Sequence, residues 1–261
     1  MSDSRDVLTR PAAGPDRTLR YGPAADHVVD VWTPAAEPRG LVVVVHGGYW
    51  RAEYDRVHTY PMCVALAAEG YTVASIEYRR AGQPGGGRPG TFADVAAALD
   101  LLCGEATGPV VVVGHSAGGH LAAWAGLRHR LPAGGVGRLP EPPPLTGVVS
   151  LAGVLDLGAA LALDLDDGAA AEFLGEPSEE VLAHADPLRL TGTDVGGPRF
   201  VLLHGDADDL VPIELSRAFA KASGTELRVL PGIGHFEPID PHSTAWPEVL
   251  RAVSEAFAAG R

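Results

Sequence analysis

Short apolar runs recur along this chain, each separated from the next by a stretch long enough for a helix. They read LVVVV at 41–45, YTVASIEYR at 71–79, VVVVG at 110–114, TGVVSLAGV at 146–154, FVLLHG at 200–205 and ELRVL at 226–230. A continuous apolar run has no polar face to offer water, so it reads as a strand covered on both sides. Strands alternating with helices give an α/β fold with a mostly parallel central sheet and helices on both faces. DHVVDVWT at 26–33 adds an earlier strand. Helices are expected over 57–68, from Thr91, over 116–127, over 212–223 and over 245–259, with Asp94 completing a capping pair at Thr91. The segment 157–190, rich in Ala and Asp, is expected to form a small cap insertion. Residues 1–20 read as a flexible arm and 21–261 as a single α/β domain.

Composition narrows the function classes. The chain has 261 residues and a formal net charge of -13 at pH 7. That charge repels nucleic-acid phosphates and anionic lipid, and no basic stripe interrupts it. Nucleic acid and membrane are therefore excluded as expected partners, while a homodimer is left open. The N-terminus, MSDSRDVLTRPAAGP, has no apolar stretch of the kind a secretory signal requires, so a cytoplasmic location is the default expectation. Cys63 and Cys103 stand alone in apolar helical surroundings and read as reduced thiols rather than a disulfide framework.

The chemistry begins at Gly114-His115-Ser116-Ala117-Gly118. This is a G-x-S-x-G pattern placed after an apolar strand and before a helix, where a sharp turn holds a serine hydroxyl out of the sheet. Ser116 is the candidate nucleophile; the bland alternative is a serine capping the next helix. The run LVVVV leads directly into His46-Gly47-Gly48-Tyr49-Trp50. A tetrahedral intermediate needs two N–H donors on its negative oxygen. Ala117 is expected to supply one, and the Gly47, Gly48, Tyr49 stretch the other. Tyr49 and Trp50, with His115, are the candidate substrate-binding residues, and packing of the loop onto the body is the alternative for the two aromatics. His46 reads as a hydrogen-bonding residue of the loop.

The acid and base lie later. FVLLHGDADDLVP at 200–212 offers Asp206, Asp208 and Asp209. Asp208 fits G-x-x-D-x-x-V-P from Gly205 to Pro212 and is chosen, with Asp209 as the fallback. His235 in PGIGHFEP follows the last strand and is the candidate base, completing the order Ser, Asp, His. His204 reads as a strand-end packing residue, His120 as packing behind the serine turn, and His242 as a surface residue. No metal site is expected, because neither His115 with His120 nor the Asp206–Asp209 cluster has a ligand spacing of a known metal motif. The reaction needs no cofactor.

These three motifs, HGGYW at 46–50, GHSAGGHLA at 114–122, and HGDADDLVP with GHF at 204–212 and 234–236, resemble the α/β-hydrolase superfamily, in particular its esterase and kynurenine formamidase (arylformamidase) branch. The resemblance implies the α/β-hydrolase fold and a small-molecule ester or amide substrate cleaved through an acyl-enzyme. In the formamidase form, the serine releases formate from N-formyl-kynurenine, and Tyr49 and Trp50 would flank the aniline ring. An amino-acid substrate would need a carboxylate partner, for which Arg51, Arg79 and Arg80 are the candidates. Where related carboxylesterases read D-Y-R-L-A-P, this chain reads Glu77-Tyr78-Arg79-Arg80-Ala81-Gly82. A broad-range carboxylesterase, a serine exopeptidase of the prolyl-oligopeptidase-like type, and a non-catalytic binding protein on the same fold are the alternatives.

Overall fold

The computed structural model describes residues 4–193 and 196–258. A short 3-10 helix, Ser4–Thr9, precedes β1 (Arg17–Arg20), β2 (Val28–Trp32) and β3 (Leu41–Val45). Then come α1 (Tyr60–Ala68), β4 (Thr72–Ile76), α2 (Gly90–Glu105), β5 (Val110–His115), α3 (Ala117–Gly126) and β6 (Gly147–Leu151). Four short helices follow: α4 (Leu157–Ala162), α5 (Leu165–Leu174), α6 (Glu179–Ala185) and α7 (Pro187–Leu190). The chain ends with β7 (Arg199–Gly205), α8 (Glu214–Ser223), β8 (Leu227–Leu230) and α9 (Trp246–Ala258).

The eight strands form one sheet in the order β1-β2-β4-β3-β5-β6-β7-β8. β1 and β2 run antiparallel to their neighbours, and every pairing from β4 to β8 is parallel. This is the α/β-hydrolase architecture. The valine runs explain its two-sided cover. Val43, Val45, Val110, Val112 and Val148 pack with α2, α3 and α8, whereas Val42, Val44, Val111, Val113 and Val149 pack with α1 and α9. Alternate side chains of a strand point to opposite faces, so an unbroken valine run is what a sheet with helices on both sides requires.

Two expectations fail here. Residues 4–20 do not form a loose arm. Val7 is fully buried in the α1/α9 layer, Arg10 is paired with Asp240, and Arg17–Arg20 adds a strand to the sheet edge. The period-2 signal was missing because β1, RTLR, is an edge strand with little buried side chain. The Thr91–Asp94 capping pair is not formed either. α2 starts at Gly90 without a side-chain cap, Thr91 Oγ1 donates to the carbonyl of Arg79, and Asp94 accepts from the Arg79 amide and guanidinium. Both residues instead fasten the loop leaving β4 to α2. Among the described residues, no helix is long and apolar enough to cross a membrane.

Candidate active site

β3 and β5 are neighbours near the middle of the sheet, and their carboxyl ends open on the same edge. Crevices at such edges are where open parallel sheets bind ligands. Ser116 leaves β5 with φ 56 and ψ -120, a backbone conformation costly for a residue with a Cβ. Its neighbours hold it there. The Ser116 amide donates to Leu151 O of β6, and Ser116 O accepts from His120 in the first turn of α3.

The glycines of the turn are there for space. A Cβ at Gly114 would lie 2.1 Å from the carbonyl oxygen of Gly118, and one at Gly118 would lie 2.1 Å from the carbonyl oxygen of Val45. The start of α3 is therefore pressed against the end of β3. Gly47 is equally close-fitted: a Cβ there would meet His115 O at 2.8 Å and the Ser116 side chain at 3.1 Å. Gly48, Tyr49 and Trp50 then take φ of 108, 54 and 58, three consecutive left-handed residues that turn the loop over the serine. Such concave turns leave amides pointing inward. The amides of Gly48, Tyr49 and Ala117 donate to no acceptor among the described residues.

The loop is fixed by buried polar contacts. His46 lies 2.9 Å from Glu77 Oε1 through Nε2 and stacks on Tyr78, whose hydroxyl donates to His46 O. Burial would raise the Glu77 carboxyl, but its pairing with His46 and Arg80 outweighs this and lowers it to about 2. Trp50 is buried, donates from Nε1 to His120 Nδ1 at 3.1 Å and stacks on Phe173 of α5. His120 Nε2 donates in turn to Ala185 O of α6, and burial lowers the ring to about 4, keeping it neutral. Trp50 thus ties the loop, α3, α5 and α6 together, and it also lines the space beside Ser116.

Asp208 sits between two histidines. Its Oδ2 lies 2.7 Å from His235 Nδ1 and 3.2 Å from His204 Nε2, and its Oδ1 accepts from the amides of Leu210 and Val211. Burial would raise this carboxyl. The hydrogen bonds from His204 and His235 and the amides prevail and hold it well below the usual carboxylate range. On one side the chain runs on through His204 Nδ1 to Ser216 Oγ at 2.7 Å. Ser216 and His204 are enclosed, at 1% and 0% exposure, so that serine faces no substrate. On the other side, His235 and Ser116 line a common pocket of about 160 Å³, with His115, Tyr49, Tyr54 and His58 around it. A Ser–His–Asp arrangement of this kind is that of a serine hydrolase.

His115 holds the loop carrying His235 from beneath: its Nε2 donates to His235 O at 2.9 Å, and burial with His235 alongside lowers the basicity of His115 strongly. Of the competing acids, Asp206 accepts from the Gly232 amide, and Asp209 has no contact to His235. The three arginines considered as carboxylate partners are already engaged. Arg51 binds Asp166 and Glu172, Arg79 binds Asp94, and Arg80 binds Asp26. Tyr54 and His58, with Arg5 and Leu8 of the N-terminal segment, also line the pocket and carried no signal in the sequence. Phe236 directly follows His235 and lines the same pocket. The others come from distant segments.

Residues 29–222 match the BD-FAE family. The chain belongs to the BD-FAE family. Among curated proteins, this BD-FAE member is 28% identical over 249 residues to Esterase LipC of Mycobacterium tuberculosis, with 86% of its own length aligned. It spans 60% of the length of Esterase LipC. It is also 28% identical to the monoacylglycerol lipase of Mycolicibacterium smegmatis, covering 80% of this chain and 85% of that one. Among solved structures it is similar to esterase B from Lactobacillus rhamnosis, with TM-score 0.74, 22% identity, and coverage of 98% and 88%. A truncated carbohydrate esterase from gut microbiota gives TM-score 0.74 at 18% identity, covering 94% of this chain and all of that one.

Proposed function

We propose that the protein is a carboxylesterase for esters of short acyl groups, with Ser116 as nucleophile, His235 as general base and Asp208 as the acid that orients it. The observation that carries this reading is the meeting of the strained Ser116 turn and the His235–Asp208 pair at one pocket. In the reaction, Ser116 Oγ attacks the ester carbonyl while His235 Nε2 takes its proton. Asp208 stabilises the resulting imidazolium. The carbonyl oxygen becomes an oxyanion and is received by the Ala117 amide and by an amide of the Gly47, Gly48, Tyr49 turn. His235 then protonates the departing alcohol, and water repeats the sequence in reverse on the acyl-enzyme.

The acyl side points to small groups. Beside Ser116 lies an apolar slot between Trp50, Val154, Ala160, Leu165, Ala169 and Ala170, with only about 10 Å³ of room, about the space of one water. The alcohol side is the larger pocket, where Tyr49, Tyr54 and Phe236 offer aromatic surface. The relatives named above are esterases and a lipase, which supports ester over amide. A formyl group also fits the slot, so the arylformamidase reading keeps one structural argument. Engagement of Arg51, Arg79 and Arg80 with carboxylates weighs against an amino-acid leaving group.

The test is a side-by-side assay of N-formyl-kynurenine and p-nitrophenyl esters of increasing acyl length, with Ser116→Ala as the blank. The proposal expects the acetyl ester to be turned over best, kcat/KM to fall as the acyl chain lengthens, and Ser116→Ala to lose at least about 10³-fold. A higher kcat/KM on the formyl amide would move the assignment to arylformamidase. Full activity in Ser116→Ala would overturn the nucleophile.

A further inference from the structure

The His204 ring lies on the enclosed side of Asp208, away from the pocket lined by Ser116 and His235. Nε2 faces Val211 O at 2.9 Å and Asp208 Oδ2 at 3.2 Å. Both are acceptors, so Nε2 carries the hydrogen and is shared between them. Nδ1 faces Ser216 Oγ at 2.7 Å, a group able to donate. One neutral tautomer, with Ser216 O–H donating to Nδ1, satisfies all three contacts at once. The same Oδ2 atom accepts from His235 Nδ1 at 2.7 Å. Two imidazole N–H groups therefore compete for one carboxylate oxygen.

We propose that His204 is a positioning residue for the base: by donating Nε2–H to Asp208 Oδ2, with Ser216 fixing its tautomer, it holds the carboxylate in place and shares its Oδ2 with the His235 N–H. This rests on the reading of His235 as the base. The physical reason is competition. Negative charge that Asp208 shares with His204 is not available to the His235 N–H, so the contact to His204 sets how strongly Asp208 holds the base. Asp208 has no freedom to rotate away, since Oδ1 is fixed by the Leu210 and Val211 amides.

Other charged or titratable groups line the pocket that His235 faces. They are His115 from β5, Tyr49 from the loop after β3, His58 ahead of α1, Arg5 from the N-terminal segment and Asp166 from the insertion. Glu237 follows two residues later, and Asp206 and Asp209 flank Asp208 in its own loop. Replacing His204 leaves all of these in place, so a change in the acid limb reports the His204 contact.

The test is the pH profile of kcat/KM on a short-acyl p-nitrophenyl ester for wild type, His204→Met and His204→Gln. His204→Met keeps bulk and removes the donor; its acid limb should move up by about 0.5–1 pH unit. His204→Gln restores an N–H and should bring the limb back toward wild type. A folded His204→Met that loses rate by the same factor at every pH, with the limb unmoved, would overturn the proposal in favour of packing alone. If His204→Met does not fold, the wild-type protein decides through its imidazole ¹⁵N shifts. His204 must carry hydrogen on Nε2, and hydrogen on Nδ1 alone overturns the proposal. His235→Asn run in parallel separates the two readings: retained activity there would sink His235 as the base, independently of His204.

Discussion

Replacing Gly118 with alanine would set a Cβ 2.1 Å from Val45 O and 2.4 Å from His46 O. Both are backbone atoms of β3 and the loop it feeds, so neither can swing aside as a side chain would. Reaching even 3.0 Å requires about 0.9 Å of separation between α3 and β3. Overpacking of this kind costs about 3 kcal/mol, which for a chain of this size is roughly 6–12 °C in Tm. The same displacement carries Ser116 and the Ala117 amide away from the Gly48–Tyr49 turn. A misplacement of about 1 Å in a reacting constellation lowers kcat on the order of 100-fold. Calorimetry and kcat on a p-nitrophenyl acetate assay read the two effects separately. Gly104→Ala is the matched control. Gly104 lies in α2 with nothing within 4 Å of its added Cβ, so the same chemical change should stabilise by up to about 1 kcal/mol and leave kcat alone. A Gly118→Ala protein with wild-type Tm and kcat within about threefold of wild type would refute the close-packing argument for the turn.

Arg51 joins the loop after β3 to Asp166 and Glu172 of α5, next to Asp164, Asp166 and Asp167 with φ of 51, 51 and 49. Because these partners are partly exposed, Arg51→Ala should change global stability by less than about 1 kcal/mol. Amide hydrogen exchange over 164–168 should nonetheless quicken, and unchanged exchange there would count against Arg51 as the tie. Trp50→Ala removes a buried ring stacked on Phe173 and should cost about 3–5 kcal/mol in urea unfolding; a loss under about 1 kcal/mol would mean that the ring is not a packing element. Glu77 has a folded pKa of about 2 against an ordinary value of 4.5, so the unfolded chain binds its proton more readily. Its stabilisation is complete above about pH 4.5 and is lost as pH falls toward 2, on the order of 3 kcal/mol in all. Urea unfolding of wild type and Glu77→Gln should therefore converge on acidification, and a gap independent of pH would contradict the pairing with His46.

Local pattern determined much of this protein. The valine runs at 41–45 and 110–113 could only be strands covered on both faces, and Gly114 and Gly118 around Ser116 marked a strand-to-helix turn because side chains there would collide with backbone. These are short-range facts, carried by residues within a few positions of one another. What depended on distant segments was decided by tertiary structure. Asp206, Asp208 and Asp209 are chemically alike in sequence. The pairing of β7 with β8 brings His235 within 2.7 Å of Asp208 across 27 positions, while Asp206 is taken by Gly232. Arg51, Arg79 and Arg80 looked available to a substrate carboxylate until the fold gave each an acid of its own. Residues 4–20 carried no periodic signal, yet Val7 finds a core built by α1 and α9, more than fifty positions away. Periodicity reports which face of a segment avoids water; it holds no information about which distant segment will supply the cover, because that depends on contacts formed only once the sheet has assembled.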